Sequence, residues 1–480
     1  MTREVVVLGY GMAGARLADE IRARDPRGAR VRLTVVGAEP HPAYNRVLLS
    51  NVVAGTMRSD MVRLHDADWA ARHHVDLRTG VTAERIDRTA RRILLNDGTT
   101  VDYDALVLAT GSRPWLPPIE GLTQDDGTPA PGVVTFRTLD DCERILGAAE
   151  AGAPVAVLGG GLLGLEAARG LAGRGSLVTV VHPVEHVMER QLDAGAGRVL
   201  GRVLGELGID FRLGARAARY LPGDGLKLDD GGKVHADLVV VSTGVRAETG
   251  LAADAGLEVD RGVVVDDALR TSDGRIHAIG DCAQHPGTVS GLVEPAWQQA
   301  QVLADLLTGQ DVSARYRGTR VVTKLKARGI DLTALGEVHT DVSDPDAEVV
   351  RLDDPARGRY AKLVVRDERV TGAILLGAPD AAANVTHLFD RGVPVPEDRL
   401  AVLLGRALPA GATVASSPAD LPAAAVVCRC NAVTKGGLVE AFRAGATDVT
   451  ELASVTRATT GCGSCRDAVC GIADWLATTA

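Results

Sequence analysis

The chain has 480 residues, 46% of them hydrophobic, and a formal net charge of −9. That length is too great for one core and suggests about three domains. An acidic balance without a long basic run excludes nucleic acid as a partner, because neutralising phosphates needs clustered Lys and Arg.

The N-terminal residues pass straight into a strand, and no run of about eighteen apolar residues occurs, so the expectation is a cytoplasmic protein without a membrane partner. Val5-Val-Val-Leu-Gly9-Tyr-Gly11-Met-Ala-Gly14 reads as a strand, a glycine turn and a helix reaching about Asp25, followed by a second strand over 31–36. Glu39 follows that strand, where an acid can accept hydrogen bonds from the ribose hydroxyls of an adenine nucleotide. Arg46 is a lone cation in the largely apolar stretch Pro42–Ser50 and is expected to face something electron-rich. Residues 103–108 form an apolar strand that ends in the turn Ala109-Thr110-Gly111.

A second fingerprint, Gly159-Gly-Gly161-Leu-Leu-Gly164, follows an apolar strand and opens an Ala/Leu-rich helix that carries Glu166. In that context the glycines let backbone approach a pyrophosphate at a helix N-terminus. The next strand ends in His182, with Glu185 just beyond. An acid there favours NADH and a base NADPH, so a modest NADH preference is expected. Further on, a strand ends in Gly280-Asp281, and Val293-Glu-Pro295-Ala-Trp297 begins a helix with proline in its first turn. Strand patterns recur at Tyr360–Val365 and Val370–Leu376, while Lys324 and Lys326 read by default as a solvated strand face, with a flavin- or partner-facing role as the alternative. Leu408–Pro422 is a linker by composition.

Of seven cysteines, Cys428, Cys430, Cys462, Cys465 and Cys470 crowd the C-terminal end, a skew that points to metal binding rather than secretory disulfides. Four thiolates in the pairs Cys428/Cys430 and Cys462/Cys465 can hold either a [2Fe–2S] cluster or zinc. Cys470 lies on an apolar helical stretch and is expected in the core. Cys142 and Cys282 are expected to be small buried residues, and residues 1–141 contain no cysteine, so no redox-active disulfide is expected beside the first nucleotide site.

These motifs, in this order, resemble the two-dinucleotide-binding-domain flavoprotein reductases related to glutathione reductase, over about residues 1–310. The resemblance implies an α/β fold with a split FAD-binding domain (1–117 and 247–312) and an inserted NAD(P)H-binding domain (118–246). Gly9, Gly11, Gly14, Glu39, Arg46, Ala109, Thr110, Gly111, Gly280, Asp281, Pro295 and Trp297 would then hold FAD, and Gly159, Gly161, Gly164, His182 and Glu185 the nicotinamide coenzyme. In the wider family a Lys–Glu pair stands beside the flavin. Glu166 takes the place of that Glu and Arg46 that of the Lys, a departure because Arg does not release its proton. Met188–Asp193, Val293–Trp297 and Tyr316–Leu332 narrow the likeness to the flavin-containing front part of assimilatory nitrite reductase large subunits and to electron-transfer subunits of assimilatory nitrate reductases. A small α+β third domain (315–405), a linker (406–423) and a small helical [2Fe–2S] domain (424–480) like that of bacterioferritin-associated ferredoxin complete the expected architecture, and that last likeness favours the cluster over zinc.

A nicotinamide gives up two electrons as a hydride and a [2Fe–2S] cluster takes one, which a flavin reconciles. With only Cys470 left over, sirohaem and [4Fe–4S] chemistry is not expected in this sequence. The implied acceptor is the molybdenum-bearing catalytic subunit of an assimilatory nitrate reductase. Two other readings stand beside it: a reductase serving another acceptor (a nitrite reductase partner, ferredoxin, rubredoxin or oxygenase), and a non-enzymatic redox-sensing module.

Overall fold

The structure, a computed structural model, describes residues 2–406, 418–429, 431–461, 463 and 465–479. Cys430, Cys462 and most of the Leu408–Pro422 linker lie outside the described residues. No helix among the described residues is long and apolar enough to cross a membrane.

Two five-stranded sheets carry the first three hundred residues, each built around a central strand with two strands on either side. In the first, Arg3–Leu8 is central, paired in parallel with Val31–Gly37 on one side and Ala105–Leu108 on the other, with Val75–Thr79 and Ile276–Ala278 at the edges. In the second, Pro154–Leu158 is central, between Leu177–His182 and Leu238–Val241, with Ile209–Leu213 and Val133–Thr135 outside, again all parallel. Their strands read as unbroken apolar runs such as Val5-Val6-Val7-Leu8, each at most 2% exposed. Continuous rather than alternating apolarity is what a parallel sheet covered on both faces requires. The chain crosses between the sheets where Ser112–Pro114 pairs antiparallel with Val245–Ala247.

In each sheet the central strand feeds a helix, Met12–Arg24 or Leu162–Gly173, through a glycine turn. Strand order reverses at this point, so each turn sits in the crevice where α/β folds take ligands. The strand Ile276–Ala278, just ahead of Gly280, enters the first sheet from far downstream, and the helix Val293–Thr308 packs back on Met12–Arg24.

The third unit is a five-stranded antiparallel sheet, ordered Val322–Lys324, Leu332–Gly336, Arg369–Leu376, Arg359–Arg366, Glu348–Asp354, with the helix Pro379–Arg391 against it. The C-terminal unit has a short hairpin (Val426–Cys428 with Val433–Thr434) and three helices, Lys435–Arg443, Val449–Thr456 and Arg466–Thr479. Thr434 Oγ1 caps the first by accepting from Gly437 N at 3.2 Å, and Asp448 caps the second by accepting from Glu451 N at 2.8 Å. Caps of this kind are worth about 1 kcal/mol each, a substantial help to so small a core.

Candidate functional site

The two glycine turns are built alike. Gly9 has φ +115°, and a Cβ on it would stand 2.1 Å from Ala109 O; Gly159 has φ +111°, and its Cβ would stand 2.2 Å from Ser242 O. Cβ atoms on Gly14 and Gly164 would fall 1.9 and 2.1 Å from the carbonyl oxygens of Gly9 and Gly159. These four positions admit nothing larger than hydrogen. Gly11 and Gly161 differ: around a Cβ on Gly161 no atom lies within 4 Å, and Gly11 would meet only the Arg46 guanidinium at 3.9 Å. The free space at the helix N-terminus, bounded by tightly packed glycines, fits a dinucleotide pyrophosphate at both turns.

A cavity of about 2240 Å³ opens in front of the first turn. Gly9, Gly11, Glu39, Arg46, Ala109, Thr110, Gly111, Gly280, Asp281 and Pro295 line it, and so do Leu162 and Glu166 near the start of the helix Leu162–Gly173. Lys326 of the third unit and Cys465 of the C-terminal unit reach the same cavity. All four parts of the chain therefore meet at one space.

Several side chains have partners the sequence did not predict. Glu166 is 4% exposed, and its cationic neighbour is Lys326, not Arg46. The Lys326 N–H donates to Glu166 Oε1 at 3.0 Å, Lys326 Nζ lies 4.0 Å from the same oxygen, and Nζ donates to Val47 O at 2.7 Å. Burial pushes the Glu166 carboxyl above its ordinary range, with the Lys326 charge, the Ser50 hydroxyl and the Lys326 N–H pulling the other way. Lys326 is thus no solvated strand residue; Lys324 is exposed and also lines the cavity. Arg46 turns to Glu39 instead, forms an ion pair with it, and lies over the Tyr44 ring at 5.0 Å. Glu39 also accepts from Tyr44 Oη at 2.6 Å, so both of its carboxylate oxygens have a donor within the protein.

Asp281 is held by Arg137, 2.6 Å away, and by Ser112 Oγ at 3.0 Å. Arg137 lies just after Val133–Thr135, an edge strand of the second sheet, and nothing in the sequence singled it out. Trp297 is 3% exposed and packs under Arg16, whose guanidinium is 5.0 Å from the ring; unlike Pro295, it does not line the cavity. His182 is not a surface ligand either. Its Nδ1 accepts from Gly160 N at 3.1 Å and its Nε2 faces Glu189 Oε2 at 3.0 Å, so the ring braces the second glycine turn from behind. Glu185 is exposed and stands over Gly214. Cys142 and Cys282 are fully buried, and burial pushes the Cys142 thiol up to about 12, which makes it inert. Cys470 is half-buried on the last helix.

In the C-terminal unit Cys428 and Cys465 are buried side by side. The Cys465 thiol first, and then the N–H groups of Asn431 and Thr459, bring Cys428 down to about 6 against its burial. Backbone donors around a thiolate suit a metal ligand, and Cys428 and Cys465 supply one thiolate from each predicted pair. Cys430 and Cys462 fall outside the described residues.

Residues 3–301 match the family model for pyridine nucleotide-disulphide oxidoreductases. The chain belongs to that family. Within this oxidoreductase, residues 322–392 match the rubredoxin NAD+ reductase C-terminal domain and residues 426–474 the BFD-like [2Fe–2S] binding domain. The oxidoreductase therefore carries the elements that take FAD, a nicotinamide coenzyme and a [2Fe–2S] cluster. It is 34% identical over 474 residues to the nitrite reductase [NAD(P)H] of Bacillus subtilis (strain 168), covering 97% of this chain and 57% of that protein. It is also 34% identical over 480 residues to the assimilatory nitrate reductase electron transfer subunit of the same organism, covering 97% and 59%. The chain thus spans less than two thirds of both relatives. Among solved structures, the covalent putidaredoxin reductase–putidaredoxin complex shares 26% identity at a TM-score of 0.74, over 83% of this chain and 95% of that one.

Proposed function

We propose that this oxidoreductase draws electrons from NAD(P)H and delivers them singly to a partner protein, the molybdenum-bearing catalytic subunit of an assimilatory nitrate reductase. The observation that carries the reading is the shared cavity, on which Gly11, Glu166 and Cys465 all open. FAD would be held by residues 1–117 and 247–312, the coenzyme by 118–246 and the cluster by Cys428, Cys430, Cys462 and Cys465. A bound flavin supplies the conversion between a hydride and single electrons, since it is stable in three redox states.

The chain's own residues do the positioning. The turns at Gly9–Gly14 and Gly159–Gly164 present helix N-termini to the two pyrophosphates, and the N-terminus of Val293–Thr308, lined by Pro295, adds positive potential at the cavity. Arg137 fixes Asp281, and Arg46 and Tyr44 fix Glu39. Buried Glu166 and half-buried Lys326 form a pair at the cavity wall. His182 is committed to Gly160 and Glu189, so its ring is not offered to a 2′-phosphate, which supports the modest NADH preference. The similarity to putidaredoxin reductase supports a second reading, in which the acceptor is a small iron–sulfur protein.

The test is reconstitution. Purified holoprotein should oxidise NADH with ferricyanide, co-purify with a molybdoenzyme, and support nitrate reduction by it with NADH. Ferricyanide reduction without transfer to that enzyme would leave the reductase and exclude the named partner. No NAD(P)H oxidation at all would indicate a redox-sensing module.

A further inference from the structure

The segment Asn45–Leu48 has two faces. Arg46 and Val47 line the cavity, while Asn45 and Leu48 point away from it into the C-terminal unit. Asn45 is 1% exposed and uses its whole amide: Oδ1 accepts from Val47 N at 3.0 Å, and Nδ2 donates to Gly461 O at 2.5 Å and to Thr460 O. With two carbonyls on one side and an N–H on the other, only one orientation of the amide satisfies every partner. Leu48 meets the same loop, because a Cβ on Gly463 would lie 3.0 Å from Leu48 Cδ2. Residues 460–463 lead into and out of Cys462, one of the four proposed ligands.

A second asparagine answers from the other side. Asn431 follows the Cys428/Cys430 pair; its Oδ1 accepts from Arg16 Nη1 at 2.6 Å, and its Nδ2 donates to Arg457 O at 2.5 Å. Arg457, held at φ +63°, sends its guanidinium to Asp19, 2.6 Å away. Arg16 and Asp19 both belong to the helix that follows the first glycine turn. Both ligand-bearing loops are therefore fastened to the flavin-side domain by buried or half-buried polar contacts that cross a sequence separation of some four hundred residues.

We propose that Asn45 and Asn431, with Arg16, form a two-sided clamp that fixes the cluster loops against the cavity wall, so that electrons cross inside one rigid body. The two asparagines are positioning residues. The inference rests on the proposed electron path from NAD(P)H to the cluster. Oxidation of one NAD(P)H to NAD(P)+ yields two electrons and one proton, so two single-electron passages across the clamp balance one coenzyme, and the proton goes to solvent. A tethered domain that swings to find its donor would not need a buried amide that donates both of its N–H groups across the contact.

The test uses full-length holoprotein with Asn45→Asp, which keeps the acceptor for Val47 N but sets a carboxylate oxygen against two carbonyls, and Arg16→Met, which keeps the stem and removes the donor to Asn431. Iron content is measured first. Anaerobic stopped-flow with NADH should show flavin bleaching at the wild-type rate in both variants and cluster reduction slowed at least about tenfold, because misplacement by an ångström can cost two orders of magnitude. Amide hydrogen exchange over residues 457–461, read in the same proteins without NADH, should quicken. If Asn45→Asp loses its iron, Arg16→Met decides on the same criteria. Wild-type cluster reduction and wild-type exchange in the iron-replete variants would overturn the clamp. A wild-type cluster that NADH never reduces would instead overturn the electron path.

Discussion

Glu166 and Lys326 stand 160 positions apart in sequence, yet the Lys326 N–H donates to the Glu166 carboxylate at 3.0 Å and the ammonium lies 4.0 Å from it. Glu166 comes from the nicotinamide-side helix, Lys326 from the third unit, and Val47 O, which receives the ammonium at 2.7 Å, from the flavin side. Three parts of the chain thus converge on one buried carboxyl. The third unit does more than lengthen the molecule, since it supplies the charge that makes an acid tolerable at the wall of the cavity.

The first prediction is a stability profile. Burial raises the Glu166 carboxyl; for a raised acid the favourable contribution is complete below its unfolded-state value and is lost as pH rises through the folded-state value. Glu166→Gln should therefore gain Tm relative to the wild type as pH rises from the ordinary carboxylate range through that raised value, and show no advantage below it. Lys326→Met leaves the carboxyl without its cation and should cost about 1–3 kcal/mol, with the loss growing over the same interval. Thermal scans across pH check both. Parallel profiles for Glu166→Gln and wild type would show that the carboxyl is not strained.

The glycine turns were legible in the sequence because their constraints are local: Gly9 and Gly14 are fixed by a positive φ and by the backbone oxygens of Ala109 and Gly9. The cysteine pairs were legible because spacing is itself local. The partners of Glu166, Asp281 and Asn45 were not, since Lys326, Arg137 and the 460–461 carbonyls reach them only through domain packing, across separations of 160, 144 and 415–416 positions. Arg46 shows the failure most clearly. The resemblance puts Arg46 in the place of the cation beside Glu166, but Glu39, seven positions upstream, pairs with it. His182 was misread for a similar reason: position at a strand end gives no sign that Gly160 and Glu189 already occupy both ring nitrogens.

Gly159 and Gly161 should separate folding from binding. Gly159→Ala would place a methyl 2.2 Å from Ser242 O at φ +111°, and should cost about 3 kcal/mol or more. Gly161 has φ −79° with free space around it, so Gly161→Ala should change stability by no more than about 0.5 kcal/mol. Its methyl would occupy pyrophosphate space, so KM for NADH should rise roughly tenfold, or about 1.4 kcal/mol, with FAD content unchanged. A Gly161→Ala protein with wild-type KM would place the coenzyme elsewhere.

His182→Ala removes the acceptor for Gly160 N and the partner of Glu189, so it should lower stability by about 1–3 kcal/mol. Because the ring is a brace rather than a coenzyme ligand, kcat/KM should fall in the same proportion for NADH and NADPH. The ratio of the two, measured with ferricyanide, is the readout, and a change in it would return His182 to the binding site.

Loss of the cluster should divide the activity in two. Cys465 is buried, 7% exposed, beside Cys428 and on the cavity wall, whereas the glycine turns owe it nothing. In Cys465→Ser, and in Cys430→Ser, iron should fall from two atoms per chain, and NADH oxidation with a small dye should persist because a small acceptor can enter the cavity directly. Transfer to the proposed nitrate reductase partner should disappear. Point variants test this more cleanly than removing residues 424–480, since truncation would also bare Asn45, Leu48, Asp19 and Glu294, which the C-terminal unit now covers or pairs through Gly461, Gly463, Arg457 and Arg429. Gradual removal of iron by a chelator should reproduce the variants, with partner-linked activity declining in step with iron content and dye reduction staying level. A Cys465→Ser protein that drives nitrate reduction at the wild-type rate would reduce the C-terminal unit to a structural cover for the flavin side, and electrons would then leave directly from the cavity that Glu166 and Lys326 wall.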